Sequence, residues 1–315
     1  MLRRRWGYLY EAISPLLLVA GQLSNFGQRR APVKRHPCVT HTSPVITVFS
    51  AKGCTGKTIV AINVAVALAR VGRRVALVDS DTRFGDVAIV LDIPVRGSIG
   101  DLAAIEGEIT ANNVAECTYA HSSGVTVMPA PIRPSEWRNV KPGHIERAVE
   151  LLGRTHDYVV LDTPGTFNDN VARALEVATN VVLVCTPDDR VLADTLLALD
   201  MLRSWKFPQD KIHLVVNAVN EASSVNPQDV GRTTGLEVLC SVPYDRSIGE
   251  SVGLGMPLLI SHPNSAAAEI IAGLARRLVT ETLGFPTATD RDATGWERRA
   301  VEFLAAFDDR TRRQS

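Results

Sequence analysis

The sequence has no net charge, no CxxC pair, no apolar run long enough to cross a bilayer, no internal repeat and no low-complexity tract. Each absence removes a class of function. Lysine plus arginine and aspartate plus glutamate both number 34, so no global field steers the chain toward nucleic acid or an anionic membrane. Only a local patch can do so. The five cysteines, Cys38, Cys54, Cys117, Cys185 and Cys240, are odd in number and scattered, which argues against a zinc site, a redox couple or a bound cluster. Reduced thiols in a cytoplasmic compartment are the expectation. What remains is a chain of 315 residues, 45% hydrophobic, enough for one large core or two small ones.

The charge is unevenly placed. Up to His36 there are seven basic residues and one acid, Glu11, a net of +6, so the remainder carries −6. The opening "MLRRRWGYLYEAISPLLLVAG" joins a basic start to an apolar middle, but Glu11 and Pro15 interrupt it and it is too short to span a membrane. Residues 1–44 are expected to be a poorly ordered basic leader, an amphipathic docking segment or the result of a start codon placed upstream, rather than a signal peptide.

From Val45 onward, short β-branched runs alternate with longer segments of helical period. That pattern predicts an α/β fold: a doubly wound, mostly parallel sheet with helices on both faces. The strand candidates are "VITVFS", "VALVDS", "VTVMPA", "YVVLDT", "VVLVCT" and "HLVVNA", with a further one at "EVLCSV". Their near-continuous apolar character implies burial on both faces. Helices are predicted at "KTIVAINVAVALARVG", closed by Gly72, at "PGHIERAVELLGR", opened by Pro142, and at about 189–205 and 265–283. The expected boundaries are 45–285 for this domain and 286–315 for a linker and C-terminal helix.

The chemistry concentrates at "FSAKGCTGKT", residues 49–58. "AKGCTGKT" fits a GxxxxGK[ST] phosphate loop with Ala51 at the first small position, between a strand and a helix. The backbone N–H groups of Gly53, Cys54, Thr55, Gly56 and Lys57 are expected to surround a polyphosphate, helped by the helix dipole. Lys57 would reach the β and γ phosphates, and the Thr58 hydroxyl would ligate Mg²⁺.

Lys52 is a second lysine, five positions before Lys57. On this residue the sequence resembles the deviant Walker-A ATPases of the MinD and ParA superfamily, whose signature is KGGxGK[ST]. The resemblance implies an ATPase that binds ATP and Mg²⁺ and forms a homodimer around the nucleotide, with Lys52 reaching the partner's phosphates. It also implies that Asp81, the later acid of "VALVDSD", positions the attacking water, with Asp79 as a supporting acid near the metal shell. Asp162 of "YVVLDTPG" takes the Walker-B position and would hold Mg²⁺ through a water. Pro164 and Gly165 open a segment similar to switch II. Asn217 of "HLVVNAVN" is similar to the family's adenine-contacting asparagine, a residue type equally at home in a turn.

The resemblance runs from about Val45 to Leu283. Within the superfamily the sequence is similar to the CpaE and TadZ group, through the FGD element in "DTRFGDVAIVLDI" and through "VPYDRSIGESVGLGMPLL". That implies a role in placing or assembling pilus or secretion machinery, or in septum-site regulation, with recruitment to a pole, septum or membrane surface. The group usually carries a receiver-like domain ahead of the ATPase, and 44 residues are too few to fold one. Cys54 stands where the signature has glycine, so hydrolysis is expected to be weak if that position needs positive φ.

Two other functions stay open. A ParA-like nucleoid-binding ATPase needs a basic patch, and the candidates Arg203, Lys206, Lys211, Arg276 and Arg277 are dispersed in the sequence. A nucleotide-dependent scaffold that hydrolyses little would be consistent with Cys54. The C-terminal "WERRAVEFLAAFDDRTRR" places Trp296, Ala300, Phe303, Leu304 and Phe307 on one helical face. Residues 286–315 hold six basic and six acidic side chains, so protein packing is favoured over membrane binding.

Overall fold

A computed structural model describes residues 43–282, apart from Pro134 and Glu221. The expected leader, up to residue 42, and the expected C-terminal helix lie outside the described residues.

Eight strands form one sheet: β1 (Val45–Phe49), β2 (Val75–Asp79), β3 (Tyr119–Ala120), β4 (Val125–Met128), β5 (Tyr158–Asp162), β6 (Asn180–Cys185), β7 (Ile212–Val219) and β8 (Val238–Pro243). Their order is β3-β4-β2-β5-β1-β6-β7-β8. All neighbours are parallel except β3 and β4. All seven predicted strands are present. The added one, β3, is a two-residue edge strand too short to show a period. From β1 the chain winds first to one side and, after β5, to the other, so the sheet's switch point lies at the carboxyl end of β1, where α/β sheets bind ligands.

Side chains alternate along each strand, and both faces are buried. Ile46, Val48, Val75, Leu77, Val160, Val182 and Val184 enter one core. Val45, Ala76, Val78, Val159 and Leu161 enter a second, and Phe49, Val181, Leu183 and Cys185 a third. This is why the strands read as unbroken apolar runs.

The helices are α1 (Lys57–Arg70), α2 (Val87–Val90), α3 (Ile99–Leu102), α4 (Ala111–Glu116), α5 (Pro142–Gly153), α6 (Asp169–Glu176), α7 (Asp189–Ser204), α8 (Pro227–Thr234), α9 (Arg246–Gly253), α10 (Leu258–Ser261) and α11 (Ala266–Thr282). The four predicted helices match α1, α5, α7 and α11 to within a residue or two. The others span eight residues or fewer, below the length at which period is legible. Ten of the fourteen residues of α1 are buried, because it lies between the sheet and α11. Its Asn63 turns inward, with Nδ2 donating to Ile59 O and Oδ1 accepting from Leu259 N at 3.0 Å, which pins α10 to α1. Loss of Leu68, fully buried at the far end, would cost about 2–5 kcal/mol.

Candidate functional site

The loop from Ser50 to Gly56 leaves β1 and runs directly into α1. Lys57 is only 6% exposed, and its Nζ donates to the Lys52 carbonyl at 3.1 Å, closing the loop on itself. Burial lowers its pKa, while the charges of Asp162 and Asp81 act the other way. Asn217, at the end of β7, donates from Nδ2 to the Thr55 carbonyl at 2.8 Å and so buttresses the loop from beneath. Thr55 is buried with a partnerless Oγ1. Cys54 is exposed at φ +61°, the left-handed region, so the condition attached to its expected strain is met. A Cβ there costs about 1–2 kcal/mol.

β5 lies between β1 and β2, in register so that Asp162 stands beside Val48 and Asp79. This brings Thr58, in the first turn of α1, to Asp162. The Thr58 hydroxyl donates to Oδ2 at 2.7 Å, while Oδ1 is buried without a partner. Burial raises the Asp162 pKa to about 7, against the lowering effects of the Thr58 hydrogen bond and the Lys57 charge. Desolvation therefore outweighs attraction at both ends of the Lys57–Asp162 pair. An orphaned carboxylate oxygen beside a hydroxyl suits a hard divalent cation. Among the described residues no group of three or more His, Cys, Asp or Glu could hold a metal.

Asp79, expected as a supporting acid near the metal shell, stands beside Asp162 on the neighbouring strand. It is fully buried, its Oδ1 accepts from Asp81 N and its Oδ2 from Val87 N, both at 3.1 Å. Burial and the Asp162 charge raise its pKa well above the usual range. With both oxygens accepting from backbone amides, Asp79 shapes the segment after β2. The FGD glycine gains its reason here, since a Cβ on Gly85 would lie 2.4 Å from Asp79 Oδ2. Asp81, half-buried, accepts at Oδ1 from Phe84 N at 3.1 Å and Arg83 N at 3.3 Å. On the other side, Gly165 lies so close to the loop that a Cβ would come within 2.3 Å of Gly53 N.

Lys52 stands outside this buried set. Its Nζ pairs with Asp194 Oδ2 of α7 at 3.2 Å, and the two side chains are 44% and 41% exposed. No motif marks Asp194, which lies 142 positions from Lys52 in the chain. Leu197, three positions after Asp194 on α7, is 40% exposed, and Trp205, just past the end of that helix, has its ring 5.5 Å from that of Phe167. Phe84 and Ile89, after β2, are 82% and 70% exposed.

A glycine-containing loop between β1 and α1, a buried lysine, a hydroxyl on a strand-end carboxylate and the switch-point position define a P-loop nucleoside triphosphatase site. The ParA family model, described as a NUBPL iron-transfer P-loop NTPase, matches residues 41–279. The chain belongs to this family, within the ParA and MinD superfamily of ATPases. Its relatives include the septum site-determining protein MinD of Thermotoga maritima, 26% identical over 254 residues, covering 78% of this chain and 91% of that protein. The iron-sulfur cluster carrier protein of Aquifex aeolicus is 30% identical over 273 residues, covering 78% and 69%. Among solved structures, a ParA family ATPase from Chlorobium tepidum superposes with TM-score 0.70 at 21% identity, covering 76% of this chain and all of that one. The Pyrococcus horikoshii septum site-determining protein MinD complexed with Mg-ADP gives 0.68 at 22%, covering 76% and 97%.

Proposed function

We propose that this protein is an ATP-dependent dimerising switch that positions a cellular machine and resets by slow hydrolysis. The observation that carries it is the division between the two lysines. Lys57 is enclosed by its own loop, whereas Lys52 lies on the rim in an exposed ion pair that it can leave for a second chain's phosphates.

ATP is the substrate and Mg²⁺ the cofactor, in line with the Mg-ADP of the horikoshii MinD structure. Thr58 and Asp162 would hold the ion, which neutralises charge on the β and γ phosphate oxygens. Loop N–H groups and Lys57 bind the polyphosphate. Asp81 orients water for in-line attack, held by the backbone that Asp79 organises. Asn217 keeps Nδ2 on the loop and turns its carbonyl oxygen to adenine. Lys52 leaves Asp194 for the partner's phosphates, and Cys54 slows the cycle through strain in the loop.

The FGD element and the segment at 242–259 support a CpaE-like branch, with a pilus, secretion or septum partner recruited by the ATP-bound dimer. One solved relative is titled a MinC:MinD cell division protein complex, from Aquifex aeolicus. Cluster carriage is not carried over from the relatives named for it, because this chain has no CxxC pair. Arg203 pairs with Asp200 and donates to the Thr234 carbonyl, and Arg277 donates to the Leu239 carbonyl. No helix among the described residues is long and apolar enough to cross a membrane.

Gel filtration with ATP and Mg²⁺ tests the switch. Wild type shifts partly to dimer, Asp81→Ala shifts fully because its nucleotide persists, and Lys57→Ala stays monomeric. An Asp81→Ala protein that remains monomeric with bound ATP would falsify the sandwich.

A further inference from the structure

The segment after β4 reaches the segment after β2 through one aromatic ring. The surface loop after β4 carries a 3-10 turn at Glu136–Arg138. The loop is braced: Glu136 accepts from Arg133 N and pairs with its guanidinium at 3.5 Å, and Lys141 Nζ donates to the Arg138 carbonyl at 2.7 Å. Pro131 and Glu136 also approach Gly100 of α3. Trp137 sits on this support with the Arg83 guanidinium carbon 4.0 Å from its ring centroid and that of Arg138 at 5.2 Å. Arg83 in turn donates its backbone N–H to Asp81 Oδ1.

We propose that Trp137 is a positioning residue for hydrolysis, which clamps Arg83 and so holds Asp81 in the orientation that directs water. The inference rests on the reading of Asp81 given above. The turn from Asp81 to Phe84 is closed at one end by the carboxylate, on Arg83 N and Phe84 N. Beyond it Phe84 is 82% exposed, and the Arg83 side chain on Trp137 adds a side-chain tie at the tip of the turn to those that Asp79 makes at Asp81 and Val87. A cation over an indole face suits this task. It is directional enough to favour one arrangement and weak enough to yield when a partner chain or product release requires the turn to move. Truncating the ring leaves the buried loop, Lys57 and Asp162 untouched, so the effect falls on turnover and not on nucleotide affinity.

The experiment compares wild type, Trp137→Ala, Trp137→Phe, Arg83→Ala, the Trp137→Ala/Arg83→Ala double variant and Asp81→Ala. It measures steady-state ATP turnover, ATP affinity, and amide hydrogen exchange of residues 81–86 in the nucleotide-free protein. Trp137→Ala and Arg83→Ala are each expected to lower kcat about two- to fivefold with ATP affinity unchanged. The double variant falls no further, because both changes remove one interaction, and Trp137→Phe restores most of the rate. Exchange at 81–86 speeds up in both alanine variants. Unchanged exchange in Trp137→Ala overturns the clamp whatever the turnover, as do additive losses or a fall in ATP affinity. A wild-type rate in both alanine variants beside an inactive Asp81→Ala overturns the clamp alone. A wild-type rate in Asp81→Ala overturns the reading of Asp81 itself.

Discussion

The buried half of the site and its rim carry the same kinds of side chain under different physics. Inside, strand register sets Asp162 beside Asp79, hydrogen bonds hold Lys57 to its loop and Thr58 to Asp162, and desolvation dominates the charged groups. Outside, Lys52 meets Asp194 in an exposed pair, and such pairs contribute about 0–1 kcal/mol. A desolvated group cannot exchange partners cheaply, whereas a rim group can. The inside is therefore suited to one ligand and the rim to two alternating ones.

The largest expected effect tests that contrast between the lysines. Lys57→Ala should weaken ATP binding by roughly a hundredfold or more, because a preorganised buried cation is removed from the phosphates. Lys52→Ala should leave monomer affinity within about twofold and abolish only the ATP-dependent dimer. Titration calorimetry at low protein concentration separates the two, and equal losses would erase the distinction drawn here.

A middle-sized effect concerns Asp162. Burial raises its folded pKa to about 7, above the ordinary carboxylate value, so the folded protein holds a proton that the unfolded chain has released. This contribution to stability is complete below about pH 4 and is lost as pH rises through about 7. Binding of Mg²⁺ with ATP requires the carboxylate, so binding should release a proton and tighten between pH 6 and about 8. Calorimetry in buffers of different ionisation enthalpy reads that proton directly. Asp162→Asn should show no such release.

The smallest effect is at Cys54. Glycine there removes the left-handed penalty of about 1–2 kcal/mol but loosens the unfolded chain by about 0.5–1 kcal/mol. Cys54→Gly should therefore stabilise the protein by about 0.5–1 kcal/mol in urea unfolding, and turnover should rise with it.

Seven strands were legible as unbroken β-branched apolar runs, and the four longest helices through their period. The edge strand β3 and the helices of eight residues or fewer were not, since so few residues cannot display a repeat. At the site, "GKT" between a strand and a helix and the aspartate ending "YVVLD" announced themselves through local spacing. Asp79 was read as a supporting acid, and its work on the backbone shows only in the close passage of Gly85 and the amides of Asp81 and Val87. Asp194 and Trp137 carried no signal, because their partners lie on other segments of the chain.

The sequence by itself determined the sheet, the phosphate loop and the existence of a second lysine, because each depends on neighbours within one strand-loop-helix unit. Only the tertiary structure decided that Lys57 is enclosed, that Lys52 has an intrachain partner to leave, and that Cys54 occupies a left-handed turn. Those outcomes depend on which distant segments the sheet order brings to the carboxyl end of β1.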